Sequence, residues 1–293
     1  MEKIPASDQF NEHIIKYVLI QYNSINSPNW KQWILSEINE KSNLHRKRIL
    51  QSGAVNFTQN RVITYQDKSI VLNPDELALL HTYYYIEMHY YSLRQCLSEI
   101  QQTIMPILDY SPMLIDFGCG ASTAGLTVAD FYSLHNHSKP LHFIYQGVDL
   151  STSMLELGKC LVNQAPFIDK GSEFHFNTSI NDIDVSVHKG AVVLIFSYVM
   201  KHIDNIVNEL ADWIINTLIP HQHQIVIINQ NSINHGYNNN WNKLFKRLQE
   251  ANPNIVNYEK ILEYRFNPSP QIPWENGTDE VGFKVKFNYI CFN

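Results

Sequence analysis

"LIDFGCGAST", Leu114 to Thr123, is the stretch whose reading decides the fold. An apolar run ends in an acid, two glycines stand one residue apart, and two small hydroxyl residues follow. Met113 to Ile115 read as a short buried strand that stops where tight-turn residues begin. After the turn, "STAGLTVADFYSL" carries Leu126, Val128, Ala129, Phe131 and Leu134 at mostly helical spacing, with Ser122 placed to cap the first turn. The unit is strand, glycine turn, helix. A glycine turn feeding a helix N-terminus offers free backbone N–H groups and a partial positive charge, which suits a phosphate or a carboxylate. The dinucleotide pattern G-x-G-x-x-G fails, because Thr123 stands where the third glycine belongs, and the phosphate loop G-x-x-x-x-G-K-[ST] is absent.

What remains, Asp116-Phe117-Gly118-Cys119-Gly120-Ala-Ser122, resembles motif I of the class I S-adenosylmethionine-dependent methyltransferases, [DE]-x-G-x-G-x-G, with Ser122 in place of the last glycine. The resemblance implies S-adenosylmethionine as cofactor, its methionine part close to the glycine turn and its amino group near Asp116. Downstream, "LHFIYQGVDLSTSMLELGKCL" reads as a second strand, Phe143 to Val148, stopping at Asp149, then a helix from about Ser151. An acid at a strand's C-terminal end can accept hydrogen bonds from a ribose diol; it can also serve as a helix cap. "GVDLSTSML" is similar to the family's second motif, in which Asp149 would hold the ribose while Leu150 and Met154 pack around the adenosine. "SEFHFNTSINDI" gives a strand at Glu173 to Asn177 and a polar turn. There the resemblance places the adenine contacts at Asn181 and Asp182, with Ser179 and Ile180 beside them; a plain surface turn is the other reading.

The run Ala191 to Phe196 in "GAVVLIFSYVMKHI" is unbroken and apolar, as expected of a central parallel strand covered on both faces. Ser197, Tyr198 and His202 follow at the end where open α/β sheets bind their ligands. A fifth strand, "QIVIINQ", a helix "NNNWNKLFKRLQEAN" and strand-like "EKILEYRF" and "GFKVKFNYICF" complete the chain. The fold class is therefore α/β, and the count fits the family's Rossmann-like seven-stranded sheet with an antiparallel last strand. The resemblance covers residues 106–293 and leaves 1–105 as an α-helical, substrate-selecting cap.

In that first part "NEHIIKYVLIQYN" and "PNWKQWILSEINEK" read as helices, the latter through Trp30, Trp33, Ile34 and Ile38, and "VITYQDKSIVL" reads as a hairpin. A long helix then opens at "NPDELALL", with proline and acids near its start. Its aromatic run "HTYYYIEMHYY" puts Tyr83, Ile86 and Tyr90 on one stripe and Tyr84, Met88 and Tyr91 on another. Several of these rings must be core. Tyr84, Tyr85 and Tyr91 are the candidate substrate contacts, since a capping helix can both pack and line an acceptor pocket. His81, Tyr85 and His89 stand at successive i+4 positions, but no acid or cysteine set accompanies them, and no metal is expected.

The net charge of −6 disfavours a nucleic-acid partner, whose phosphates demand a broad basic surface. The one dense basic cluster, His45 to Arg48, reads as a solvated helix face. No stretch has the apolar length for a membrane span, the start lacks a signal-peptide pattern, and the cysteines at 96, 119, 160 and 291 fit a reducing compartment, so the expectation is cytoplasmic. The leading expectation is in-line methyl transfer to an oxygen or nitrogen of a small-molecule acceptor. A protein or RNA methyltransferase docking through the helical part, and a non-catalytic cofactor binder, are the alternatives. If a base is needed, His202 and His235, after the fourth and fifth strands, are the candidates.

Overall fold

A computed structural model describes residues 2–3, 7–24, 57–65, 68–186, 188–221, 224–233, 236, 238–267 and 281–292. The second N-terminal helix expected around Trp30 and Trp33, the basic cluster at His45 to Arg48, and His235 lie outside the described residues.

The main sheet runs β6-β5-β4-β7-β8-β10-β9, with β1 (Glu2–Lys3) added at the β9 edge. In chain order its strands are β4 (Met113–Phe117), β5 (Ile144–Val148), β6 (Glu173–Asn177), β7 (Val192–Ser197), β8 (Ile225–Ser232), β9 (Tyr258–Phe266) and β10 (Val281–Phe292). The pairs from β6 through β8 are parallel, while β10 is antiparallel to both β8 and β9. This is the expected seven-stranded arrangement. The pairing of Glu2 and Lys3 with Tyr264 and Arg265 carries no sequence signature and adds a short parallel strand.

The apolar runs of β4, β7 and β8 have a hidden period of two. Leu114, Val193, Ile195, Val226 and Ile228 pack on one face; Met113, Ile115, Val192, Leu194, Phe196, Ile225 and Ile227 pack on the other. Alternate residues of each strand thus serve different cores, which is why no polar residue interrupts the runs. The second face is covered by α6 (Val207–Trp213) and α7 (Asn239–Ala251). The first is covered by α2 (Pro74–Glu99), α4 (Thr123–His135) and α5 (Thr152–Val162).

Asn73 starts α2 with a reciprocal capping box: its side chain accepts from Glu76 N–H while the Glu76 carboxylate accepts from Asn73 N–H, both at 2.9 Å. The helix breaks at Ile100, and α3 (Gln101–Leu108) then leads into β4. Before α2 come a wide-turned helix over Phe10–Ile15, its continuation α1 (Lys16–Ser24), and the hairpin of β2 (Arg61–Tyr65) and β3 (Lys68–Leu72). Phe10 stacks on Tyr90 at 3.8 Å and Tyr22 on Tyr83 at 4.0 Å. The first core runs without a break from Phe10 through Tyr91 to Phe287, across residue 105. Among the described residues, no helix is long and apolar enough to cross a membrane.

Candidate active site

The glycine turn after β4 is stitched to the end of β5. Gly118 N–H and Cys119 N–H both donate to Val148 O, at 2.8 and 3.0 Å, and Gly120 N–H donates to Asp149 Oδ2 at 3.0 Å. The other Asp149 oxygen accepts Ser151 N–H at 2.8 Å, and Ser151 in turn caps α5 by accepting Met154 N–H at 3.2 Å. Asp149 thus joins two neighbouring strand ends. Burial pushes its carboxyl up, opposed by the two backbone donors, Ser151 and Gly120.

Asp116 is 1% exposed. Its Oδ2 accepts the Tyr145 hydroxyl at 2.8 Å, and its Oδ1 is buried without a hydrogen bond. Burial first, and Asp149 second, raise it to about 7, against the lowering effect of Tyr145 and, to a smaller extent, of the Gly125 backbone. Gly147 stands opposite Asp116 in the β4–β5 register, and a side chain there would come within 2.8 Å of the Tyr145 ring. Tyr145 reaches Asp116 because residue 147 has none.

Ser122 corrects an expectation. Its side chain does not cap α4; its backbone is left-handed at φ 62°, and its carbonyl accepts Leu126 N–H while its N–H donates to Cys119 O. The hydroxyl is instead tucked toward α5, so that a Cβ on Gly158 would lie 2.4 Å from it. A left-handed serine gives the turn its final reversal and cannot aim its oxygen at the first turn's N–H groups.

The remaining predicted residues fall into three groups. Close to the turn, Met154 is buried with its sulfur 4.0 Å from where a Gly120 Cβ would stand, and Cys119 is buried. Phe117 packs against Phe196 at 5.8 Å. Leu150, by contrast, is 81% exposed. After β6, Ser179 accepts Asn181 N–H and opens a short helical turn containing buried Ile180, while the exposed Asn181 amide donates to Glu209 of α6 at 3.1 Å.

After β7, Ser197 accepts Gln230 Nε2 at 2.6 Å. Tyr198 has a left-handed backbone at φ 58° and pairs its hydroxyl with Ser92 of α2 at 3.0 Å. His202 ends a short helical turn, Met200–His202, and is exposed. The protein packed about its ring and then Lys201 lower its pKa from the ordinary histidine value.

Of the three tyrosines singled out on α2, Tyr84 and Tyr91 are 2% and 1% exposed, and Tyr91 stacks on Phe266 of β9 at 4.3 Å. They belong to the core because their faces of α2 meet other elements. Tyr85 is partly exposed, between His81 at 4.9 Å and His89 at 6.1 Å. Sequence reasoning missed Tyr145, Ser92 and Gln230. Gln230 had a signal, a polar residue ending an apolar strand; the other two follow from register and helix phase alone. Among the described residues, no group of three or more His, Cys, Asp or Glu side chains could hold a metal ion.

No protein-family profile matches the sequence, and no curated protein matches it. Among solved structures, the chain is similar to the plantazolicin methyltransferase BpumL in complex with SAH, at 10% identity over 75% of this chain and 91% of that one, with a TM-score of 0.43. It is similar to precorrin-6y C5,15-methyltransferase from Geobacter metallireducens GS-15, at 7% identity over 67% and 89% of the two chains and a TM-score of 0.41. A SAM-dependent methyltransferase from Aquifex aeolicus gives 11% identity over 62% and 82%, with a TM-score of 0.39.

Proposed function

We propose that this chain is an S-adenosylmethionine-dependent methyltransferase acting on an oxygen or nitrogen of a small molecule. The observation that carries the reading is the Asp149 carboxylate, placed at the C-terminal end of β5 and bonded to Gly120 N–H of the turn after β4. The residues present fit the cofactor. Asp149 retains lone pairs for ribose hydroxyls, the turn is open over Gly120, where no side chain comes closer than the Met154 sulfur, and the buried Asp116 Oδ1, which has no hydrogen-bond partner, would accept from an ammonium group. Bound there, the cofactor supplies a methyl whose C–S bond breaks with its electron pair kept on sulfur, while the acceptor's lone pair bonds the carbon and the acceptor's proton leaves.

The chain's own task is to bind, orient and exclude water, because a sulfonium is already a good leaving group and alignment supplies much of the acceleration. His202, with its lowered pKa, is unprotonated at neutral pH and is our candidate for taking that proton. The acid limb of the rate profile should then fall with a midpoint below the ordinary histidine value of 6.5, and His202→Gln should remove it. The net charge of −6 and the partly exposed rings beside the sheet edge support a small acceptor. The unpaired cysteines support a reducing compartment, and with it a cytoplasmic location.

The test is incubation with methyl-labelled S-adenosylmethionine and cell extract, with calorimetry of S-adenosylhomocysteine alongside. We expect label in the low-mass fraction. Asp149→Ala should weaken S-adenosylhomocysteine by roughly 1.5–3 kcal/mol through loss of charge-assisted hydrogen bonds. Label in protein or RNA would overturn the small-molecule assignment, binding without transfer would make the chain a cofactor-binding protein, and absence of binding would remove the reading altogether.

A further inference from the structure

The two sides of α2 differ. Tyr83, Tyr84, Tyr90 and Tyr91 are buried, whereas His81, Tyr85 and His89, one helical turn apart, are each partly exposed. These partly exposed rings belong to a continuous row. Phe57 meets His81 edge-on at 5.3 Å, His81 meets Tyr85 at 4.9 Å, Tyr85 lies 6.1 Å from His89, and His89 stacks on Tyr198 at 4.7 Å and 14°.

Both ends of the row are fixed at the ligand-bearing edge of the sheet. The Phe57 carbonyl accepts the Ser151 hydroxyl at 3.1 Å, just beyond β5. Tyr198 follows β7 immediately, and its neighbour Val199 lies against Gly118. Because β4 stands between β5 and β7, the row spans the position of the glycine turn.

We infer that this row is the acceptor-binding wall, and that the acceptor is a flat conjugated ring bearing the hydroxyl or amine to be methylated. The inference rests on the methyltransferase reading above and names its substrate class. Its first support is chemical. Phe57, His81, Tyr85, His89 and Tyr198 form one partly exposed aromatic row, and offset or edge-on contact of a further ring with such a row adds about 0.5–1.5 kcal/mol beyond the area buried. A saturated ring of the same size gains the area alone. The protein packed around His89, and then His81 beside it, take its pKa down to about 3, so the ring stays neutral across the physiological range.

The second support is the way Tyr198 is held. A non-glycine residue in the left-handed region is strained, at a cost on the order of 1–3 kcal/mol, and persists where its surroundings over-determine it. Here they do. Tyr198 N–H donates to Gln230 O at 3.0 Å, its hydroxyl pairs with Ser92, Ser92 donates to Gln230 Oε1 at 2.8 Å, and His89 stacks on its ring. The turn after β7 and α2 fix one ring from several directions at the edge where methyl transfer takes place. Ser92 is a positioning residue for Tyr198, while His89 both packs that ring and belongs to the row.

The experiment is saturation-transfer NMR on the protein loaded with S-adenosylhomocysteine, with naphthol as the flat probe and its fully hydrogenated counterpart as the control. Naphthol should bind at least about tenfold more tightly, the factor that one or two ring contacts supply. His89→Ala should weaken naphthol by about fivefold or more while leaving S-adenosylhomocysteine affinity within about twofold, and His89→Phe, which keeps a ring against Tyr198, should restore it. Should His89→Ala not fold, Tyr85→Leu supplies the same comparison from a partly exposed position. Equal binding of both probes, or naphthol binding unchanged in the folded variants, overturns the acceptor wall and leaves the methyltransferase reading standing if S-adenosylhomocysteine still binds. Failure of the wild-type protein to bind S-adenosylhomocysteine overturns both.

Discussion

Gly118 and Gly120 are glycines for different reasons. Both have positive φ, +70° and +51°, but a Cβ on Gly118 would lie 2.3 Å from Val199 Cγ2, while one on Gly120 would meet nothing closer than the Met154 sulfur at 4.0 Å. Gly118→Ala should therefore destabilise the fold by about 2–4 kcal/mol, from backbone strain plus overpacking. Gly120→Ala should cost only about 1–2 kcal/mol in stability, yet fill the open side of the turn and lower S-adenosylhomocysteine affinity at least tenfold. Urea denaturation and calorimetry separate the two; equal losses of stability would mean that Val199 yields freely. Asp116 carries a second test. Its folded carboxyl, raised to about 7 from the ordinary 3.8, keeps its proton where the unfolded chain has lost it. Its contribution is therefore complete below the unfolded value and is lost as pH rises to about 7. Asp116→Asn removes that dependence, so its stability relative to wild type should rise by up to roughly 4 kcal/mol between about pH 4 and pH 8; a constant difference across that range would show that burial does not hold the proton. The strand-end acids and the glycine spacing were legible because they are local patterns. Tyr145 as the partner of Asp116 was not, because it depends on Gly147 facing Asp116 across two strands.

At the scale of elements, α2 shows where sequence periodicity stops. Proline and acids announced its start, and the structure adds the Asn73–Glu76 box. Which of its tyrosines face a cavity could not be read from spacing, since apolar stripes recur on every side of a helix that has partners on several sides: α1, α4, α5 and β9. The consequence is measurable. Tyr91, stacked on Phe266 and fully buried, should lose about 3–5 kcal/mol on truncation to alanine, in the range for large buried aromatics. Tyr85→Ala should lose less than about 1 kcal/mol in stability, since its ring is partly exposed, and show its effect in acceptor turnover. A Tyr85→Ala variant as unstable as Tyr91→Ala would assign the exposed row to the core. The central strands pose the opposite problem. Their runs declared them buried, but the division of alternate residues between two cores is invisible when every residue is apolar.

For the whole molecule, the question is what holds α2 in place over the sheet edge. Part of the answer lies in the first residues of the chain. The Ser7 hydroxyl donates to Asp130 Oδ1 of α4 at 2.7 Å, the Tyr90 hydroxyl of α2 donates to the other oxygen, and Phe10 stacks on the Tyr90 ring. Asp130 is fully buried, and burial raises its pKa against the donors that lower it, Tyr90 and Ser7 foremost. The N-terminal segment thus presses α2 against α4 from outside, while Ser92 and Tyr198 tie it to the sheet from within. Ser7→Ala removes one donor from a buried carboxylate and should cost about 1.5–3 kcal/mol. Phe10→Ala should cost about 3–5 kcal/mol. Because both act on Tyr90 and Asp130, the double variant should fall short of the sum. The loss should also be uneven across the molecule: amide exchange should accelerate through α2 while β4 and β7, buried on both faces, keep their protection. If Ser7→Ala and Phe10→Ala instead speed exchange equally in α2 and in the central strands, α2 has no separate freedom. The N-terminal segment would then stabilise the fold as one unit and would not govern the wall that α2 presents to the acceptor.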